Sequence, residues 1–75
     1  MTAQEMLEEV GMKLFSSTYL LFDFDDGVRE SYVYFDTEKK YVETTYYVDE
    51  FESKEKFELF KKAIDRYTAE LGWIE

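Results

Sequence analysis

The sequence predicts a small α+β domain ordered α-β-β-β-α, with a three-stranded antiparallel meander and both helices on one face. Three observations carry that expectation. Apolar residues recur every three or four positions at both ends of the chain, and each stripe closes on a glycine. Between them, from Thr18 to Asp49, the period drops to two. The 75 residues are 45% hydrophobic and 20% aromatic, enough to build a core despite a net charge of −9. One domain over residues 1–75 follows from that length.

Thr2 and Glu5 have the spacing of a capping box, in which hydroxyl and carboxylate each accept from the other's backbone N–H. Ala3, Met6, Leu7 and Val10 then form one stripe, and Gly11 supplies the left-handed residue that ends a helix. Met12 is placed to fold back onto Leu7. A helix this short is marginal alone in water, so its stripe must dock.

The first predicted strand, 18–24, puts Thr18, Leu20, Phe22 and Phe24 on one face and Tyr19, Leu21 and Asp23 on the other. Asp25-Asp26-Gly27 signals a turn, because Asp-Gly tolerates positive φ. The second strand, 28–35, separates Ser31, Val33 and Phe35 from Glu30, Tyr32 and Tyr34. A turn at Asp36-Thr37-Glu38-Lys39 follows, without Gly or Asn. The third strand, 41–49, separates Val42, Thr44, Tyr46 and Val48 from Tyr41, Glu43, Thr45 and Tyr47.

Ser53 is the expected N-cap of the last helix, with Asp49, Glu50 and Glu52 adding favourable negative charge near its start. Phe57, Phe60, Ile64, Tyr67 and Leu71 make its core stripe, and Glu58 precedes Lys62 by four, the favoured order for an ion pair. Gly72 ends this helix, with Trp73 covering the last turn. The predicted core comprises the two helical stripes with Leu20, Phe22, Val33, Phe35, Val42, Tyr46 and Val48.

Composition excludes several chemistries. There is no cysteine for a disulfide or thiolate metal site, and no histidine, the commonest general base and metal ligand. The Asp25–Gly27 region does not satisfy a calcium loop, which needs its acceptors at fixed intervals and a terminal Glu. Acid pairs such as Glu8/Glu9 and Asp49/Glu50 read as solvated charges, because catalytic carboxylates need a pocket that splits their pKa values. The expectation is therefore a non-enzyme without cofactor or metal. The longest apolar runs span four residues, as at 19–22, far short of a bilayer. The acidic first residues have the wrong sign for a signal or transit peptide, so a cytoplasmic protein is expected.

Two functional surfaces stand out. Tyr19, Leu21, Tyr32, Tyr34, Tyr41 and Tyr47 pattern onto the sheet face opposite the helices. Tyrosine is a good strand former, so a purely structural role is one reading. The other is an interface for a protein partner or a second copy, because tyrosine is enriched where proteins meet. The alternative surface is acidic. Residues 1–38 carry nine acids against Lys13 and Arg29, a net of −7, with Asp23, Asp25, Asp26 and Glu30 near the first turn. Such a surface repels phosphates, disfavouring direct nucleic-acid binding, but it would suit an inhibitor that mimics nucleic acid toward a DNA-binding enzyme. Lys54, Lys56, Lys61, Lys62 and Arg66 are interleaved with acids and read as an ion-paired outer face.

Three segments carry a resemblance: Thr-Ala-Gln-Glu-Met-Leu-Glu-Glu-Val-Gly at 2–11, Tyr-Phe-Asp-Thr-Glu-Lys-Lys-Tyr-Val-Glu at 34–43, and Ala-Ile-Asp-Arg-Tyr-Thr-Ala-Glu-Leu-Gly-Trp at 63–73. Together they resemble a family of short uncharacterised proteins encoded by prophages and mobile elements of Gram-positive bacteria. Asp65 stands where that family commonly has Asn. The resemblance implies a phage-related origin and the same helix-strands-helix order. It transfers no functional residue, because the family carries no assigned activity.

Overall fold

Two helices and a four-stranded antiparallel sheet make up the computed structural model, which describes residues 1–16 and 18–73. Helix α1 is Ala3–Val10; strands β1 to β4 are Lys13–Leu14, Leu20–Asp23, Tyr32–Asp36 and Tyr41–Thr45; helix α2 is Lys54–Glu70. A 3-10 turn, Val48–Glu50, precedes α2. The strands lie side by side in chain order, each antiparallel to the next. The expected class is therefore found, with one more strand than the three anticipated.

Both helices start and stop where their caps direct. The Thr2 hydroxyl accepts from the Glu5 N–H at 3.1 Å, and the Glu5 carboxylate accepts from the Thr2 N–H at 2.7 Å. At the far end the Gly11 N–H donates to the Glu8 carbonyl and the Met12 N–H to the Leu7 carbonyl, with Gly11 at φ 110°. The same pair of bonds closes α2, from Gly72 to Ala69 and from Trp73 to Thr68. Ser53 caps α2 by accepting from the Lys56 N–H at 3.2 Å.

Helix α2 also services both ends of α1. Glu70 accepts from the Ala3 N–H at 3.0 Å, and Lys56 donates to the Glu9 carbonyl at 3.0 Å while pairing with its carboxylate. The helices therefore run antiparallel, with a carboxylate at the positive end of α1 and an ammonium at its negative end. On the outer face of α2, Glu58 pairs with Lys61 rather than the expected Lys62.

One buried cluster joins Leu7 and Val10 of α1, Phe60 and Ala63 of α2, and Phe22, Val33 and Phe35 of the sheet. Its rings interlock: Tyr67 stacks on Phe35 at 4.4 Å between centroids, and Phe22 meets both edge-on. Each such pair contributes about 0.5–1.5 kcal/mol beyond area burial.

Three expectations are corrected. Strand β1 follows directly from the Gly11 cap, pairing Lys13 with Asp23 and Leu14 with Phe22. The second predicted strand begins at Tyr32, not 28, because carboxylates capture the amides before it. Asp26 accepts from the Val28 and Arg29 N–H groups, and Glu50 from those of Glu30 and Ser31. Four consecutive donors satisfied in this way have no need of a ladder. The third predicted strand stops at Thr45 instead of 49. Beyond it the chain leaves the sheet, so Val48 is 60% exposed rather than core, and Tyr46 is half exposed, its ring tilted against Phe57 and at an edge-type angle to Phe60. Phe51 fills the vacated space, touching Phe24, Phe57 and Phe60 with its ring.

Candidate functional site

The side of the sheet facing away from Phe22 and Phe35 is concave. Alternation sends Leu21 and Asp23 of β2 and Tyr32 and Tyr34 of β3 to that side, and Tyr19, in the bend just before β2, joins them. Register then fixes their neighbours. Tyr34 lies between Leu21 and Glu43, and Tyr32 between Asp23 and Thr45. The space they enclose with Phe15, Arg29 and Glu30 measures about 550 Å³.

Of the six predicted interface residues, Tyr19, Leu21, Tyr32 and Tyr34 line this concavity together. Tyr41 lies opposite Asp36 at the start of β4, outside the lining. Tyr47 lies beyond the end of β4 and outside the lining, with its N–H donating to the Ser31 hydroxyl at 2.9 Å. Phe15 was missed. It is 64% exposed and forms a wall because β1 continues outward, its N–H donating to the Leu21 carbonyl at 2.7 Å. The Met12–Phe15 alternation is the signal for it, too short to stand out beside a helix cap.

The rings here behave differently from those of the core. Among the described residues, Phe15, Tyr19, Tyr32 and Tyr34 stack on no other ring. Their cross-strand neighbours are Leu, Asp, Glu and Thr, so no aromatic ladder stiffens the sheet. The Tyr32 hydroxyl donates diagonally to Glu43 at 3.0 Å, holding that ring and that carboxylate in one arrangement.

A polar latch supports the wall. Ser31 is fully buried, donates its hydroxyl to Glu50 and accepts from Tyr47. The Ser31 hydroxyl, with the Glu30 and Ser31 amides and the Arg29 charge, holds the Glu50 carboxyl below its ordinary range. Arg29 is tied down on three sides: to the Asp26 carboxylate at 2.7 Å, to the Glu50 carbonyl at 3.3 Å, and over the Phe24 ring at 3.9 Å. The Arg29 and Val28 amides, with the guanidinium, pull Asp26 down to about 2.

The four acidic residues singled out above therefore part company. Asp26 is committed to the turn, Asp25 lies exposed beside it, and Asp23 and Glu30 line the concavity. Burial raises the Asp23 carboxyl above its ordinary value, and the charges of Asp25 and Asp26 push the same way. Burial likewise raises the Tyr34 phenol, with Asp36 adding to it. Both shifts run the way that partial burial beside neighbouring negative charges requires. Among the described residues, no cluster of three or more acidic side chains is placed to hold a metal ion, and no helix is long and apolar enough to cross a membrane. Comparison with protein-family models, curated proteins and solved structures finds no match.

Proposed function

We propose that this chain is a non-catalytic docking module, of prophage or mobile-element origin as its resemblance implies, that receives a protein partner on the concave face of its sheet. The reading takes both helices to cover the Phe22–Phe35 side, which the single buried cluster supports. The observation that carries it is the concavity itself: four aromatic rings line it beside Leu21, none of them stacked on another ring among the described residues. Partly exposed aromatics that form no ring-on-ring ladder across the sheet fit recognition better than stability. The carboxylates with depressed pKa values, Asp26 and Glu50 among them, act as acceptors for backbone amides, a structural task rather than acid-base work. The nucleic-acid-mimic alternative draws less support, because Asp26, one of its four carboxylates, is committed to the turn and Asp23 is partly buried in the concavity.

The test is the double variant Tyr32→Ser, Tyr34→Ser. It should keep the far-ultraviolet circular dichroism of the parent and lose the proteins that the parent captures from a cell lysate. A light-scattering mass at two concentrations, run in parallel, identifies a second copy as the partner if mass rises with concentration and the variant stays monomeric. Partners and mass both unchanged by the double substitution would overturn the reading.

A further inference from the structure

We infer that the concavity accepts an arginine side chain presented by a basic partner protein, its guanidinium lying against the tyrosine rings between Asp23 and Glu43. This rests on the docking reading and adds the chemistry of the occupant. Three observations converge on it.

Among the described residues the rings of Tyr19, Tyr32 and Tyr34 stack on no other ring, and an unstacked ring face carries the negative quadrupole that attracts a cation. The planar guanidinium suits such faces better than a compact ammonium does. Three carboxylates, Asp23, Glu30 and Glu43, line the site against one guanidinium, Arg29, whose charge is already answered by Asp26. Lys13 lies opposite Asp23 on β1, yet the two form no ion pair. The site is thus acidic and partly desolvated, and the guanidinium that lines it is already paired with Asp26. Finally, a net charge of −9 opposes a second copy of this chain and favours a partner of the opposite sign.

N-acetyl-arginine amide is the probe, titrated into the full chain and followed by amide nuclear magnetic resonance shifts. Its neutral isostere, N-acetyl-citrulline amide, is the control. Shifts at residues 21–23 and 32–34 are expected with arginine, at least about fivefold weaker with citrulline, and fading as salt rises from about 20 to about 200 mM. Asp23→Asn with Glu43→Gln should weaken arginine binding about fivefold without lowering the thermal midpoint, because Asp23→Asn removes a desolvated charge. Equal response to citrulline, or binding indifferent to the two substitutions, would overturn the inference. If arginine produces no shift while partner capture still requires Tyr32 and Tyr34, the docking reading stands and the arginine assignment falls. If capture is also indifferent to those tyrosines, both fall.

Discussion

Phe35 and Tyr34 are neighbours on one strand, yet they live in different chemical worlds. Phe35 points into the core, stacks on Tyr67 at 4.4 Å and meets Phe22 edge-on. Tyr34 points the other way, between Leu21 and Glu43, and its ring meets no other ring. The same contrast extends along the sheet: Phe22 against Leu21, Val33 against Tyr32. One face spends its aromatic surface on the fold, and the other holds it toward solvent. Aromatic content alone therefore says nothing about role; the packing partners do.

The sharpest way to test that contrast is to truncate both neighbours. Phe35→Ala should cost about 3–5 kcal/mol, roughly the whole stability of a domain this small, and leave a chain without a cooperative thermal transition. Tyr34→Ala should keep its midpoint within about 3 °C of the parent. Equal losses would erase the distinction between the two faces.

A smaller effect is expected at the latch beneath the site. Ser31→Ala removes the acceptor of the Tyr47 amide and a donor to Glu50, and should cost about 1–3 kcal/mol in urea denaturation. Because Ser31 lines the concavity from below, this variant should also weaken docking while Tyr32 and Tyr34 remain in place.

Acid should act more gradually. Asp26 sits at about 2, and Glu5 and Glu50 are also lowered, so each binds its proton less readily when folded. Their contributions are complete above the unfolded values, 3.8 for Asp and 4.5 for Glu, and are lost as pH falls through the lower folded values. Asp23 is raised, so its contribution has the opposite sign, growing as pH falls and offsetting part of the loss. Thermal midpoints should hold nearly level above about pH 5 and decline from there toward pH 2. A midpoint that climbs throughout that acid range would show the desolvated site outweighing the turn and latch.

Local signals explain what was legible in the sequence. Caps at Thr2, Gly11, Ser53 and Gly72 and the stripe of α2 depend on residues a few positions apart, and all appear where spacing places them. Alternation also put Tyr19, Leu21, Tyr32 and Tyr34 on one side correctly, because period two is a property of any extended strand. It says nothing about where a strand stops. The alternation runs on through Tyr47 and Val48, past the point where the sheet ends at Thr45. The shift of β3 to Tyr32 depends on Glu50, some twenty residues away in sequence, which no local pattern announces. Strand β1, with two paired residues, is below the length at which alternation can be recognised, and Phe15 was lost with it.

The attention α2 gives to both ends of α1 has a consequence for how the chain acquires its shape. Eight residues of helix, whose first turn leans on a side chain 67 positions downstream, cannot persist before that side chain is available. Helix α1 is thus among the last elements to settle. Folding should proceed as one concerted event, with α1 forming only as α2 docks against it.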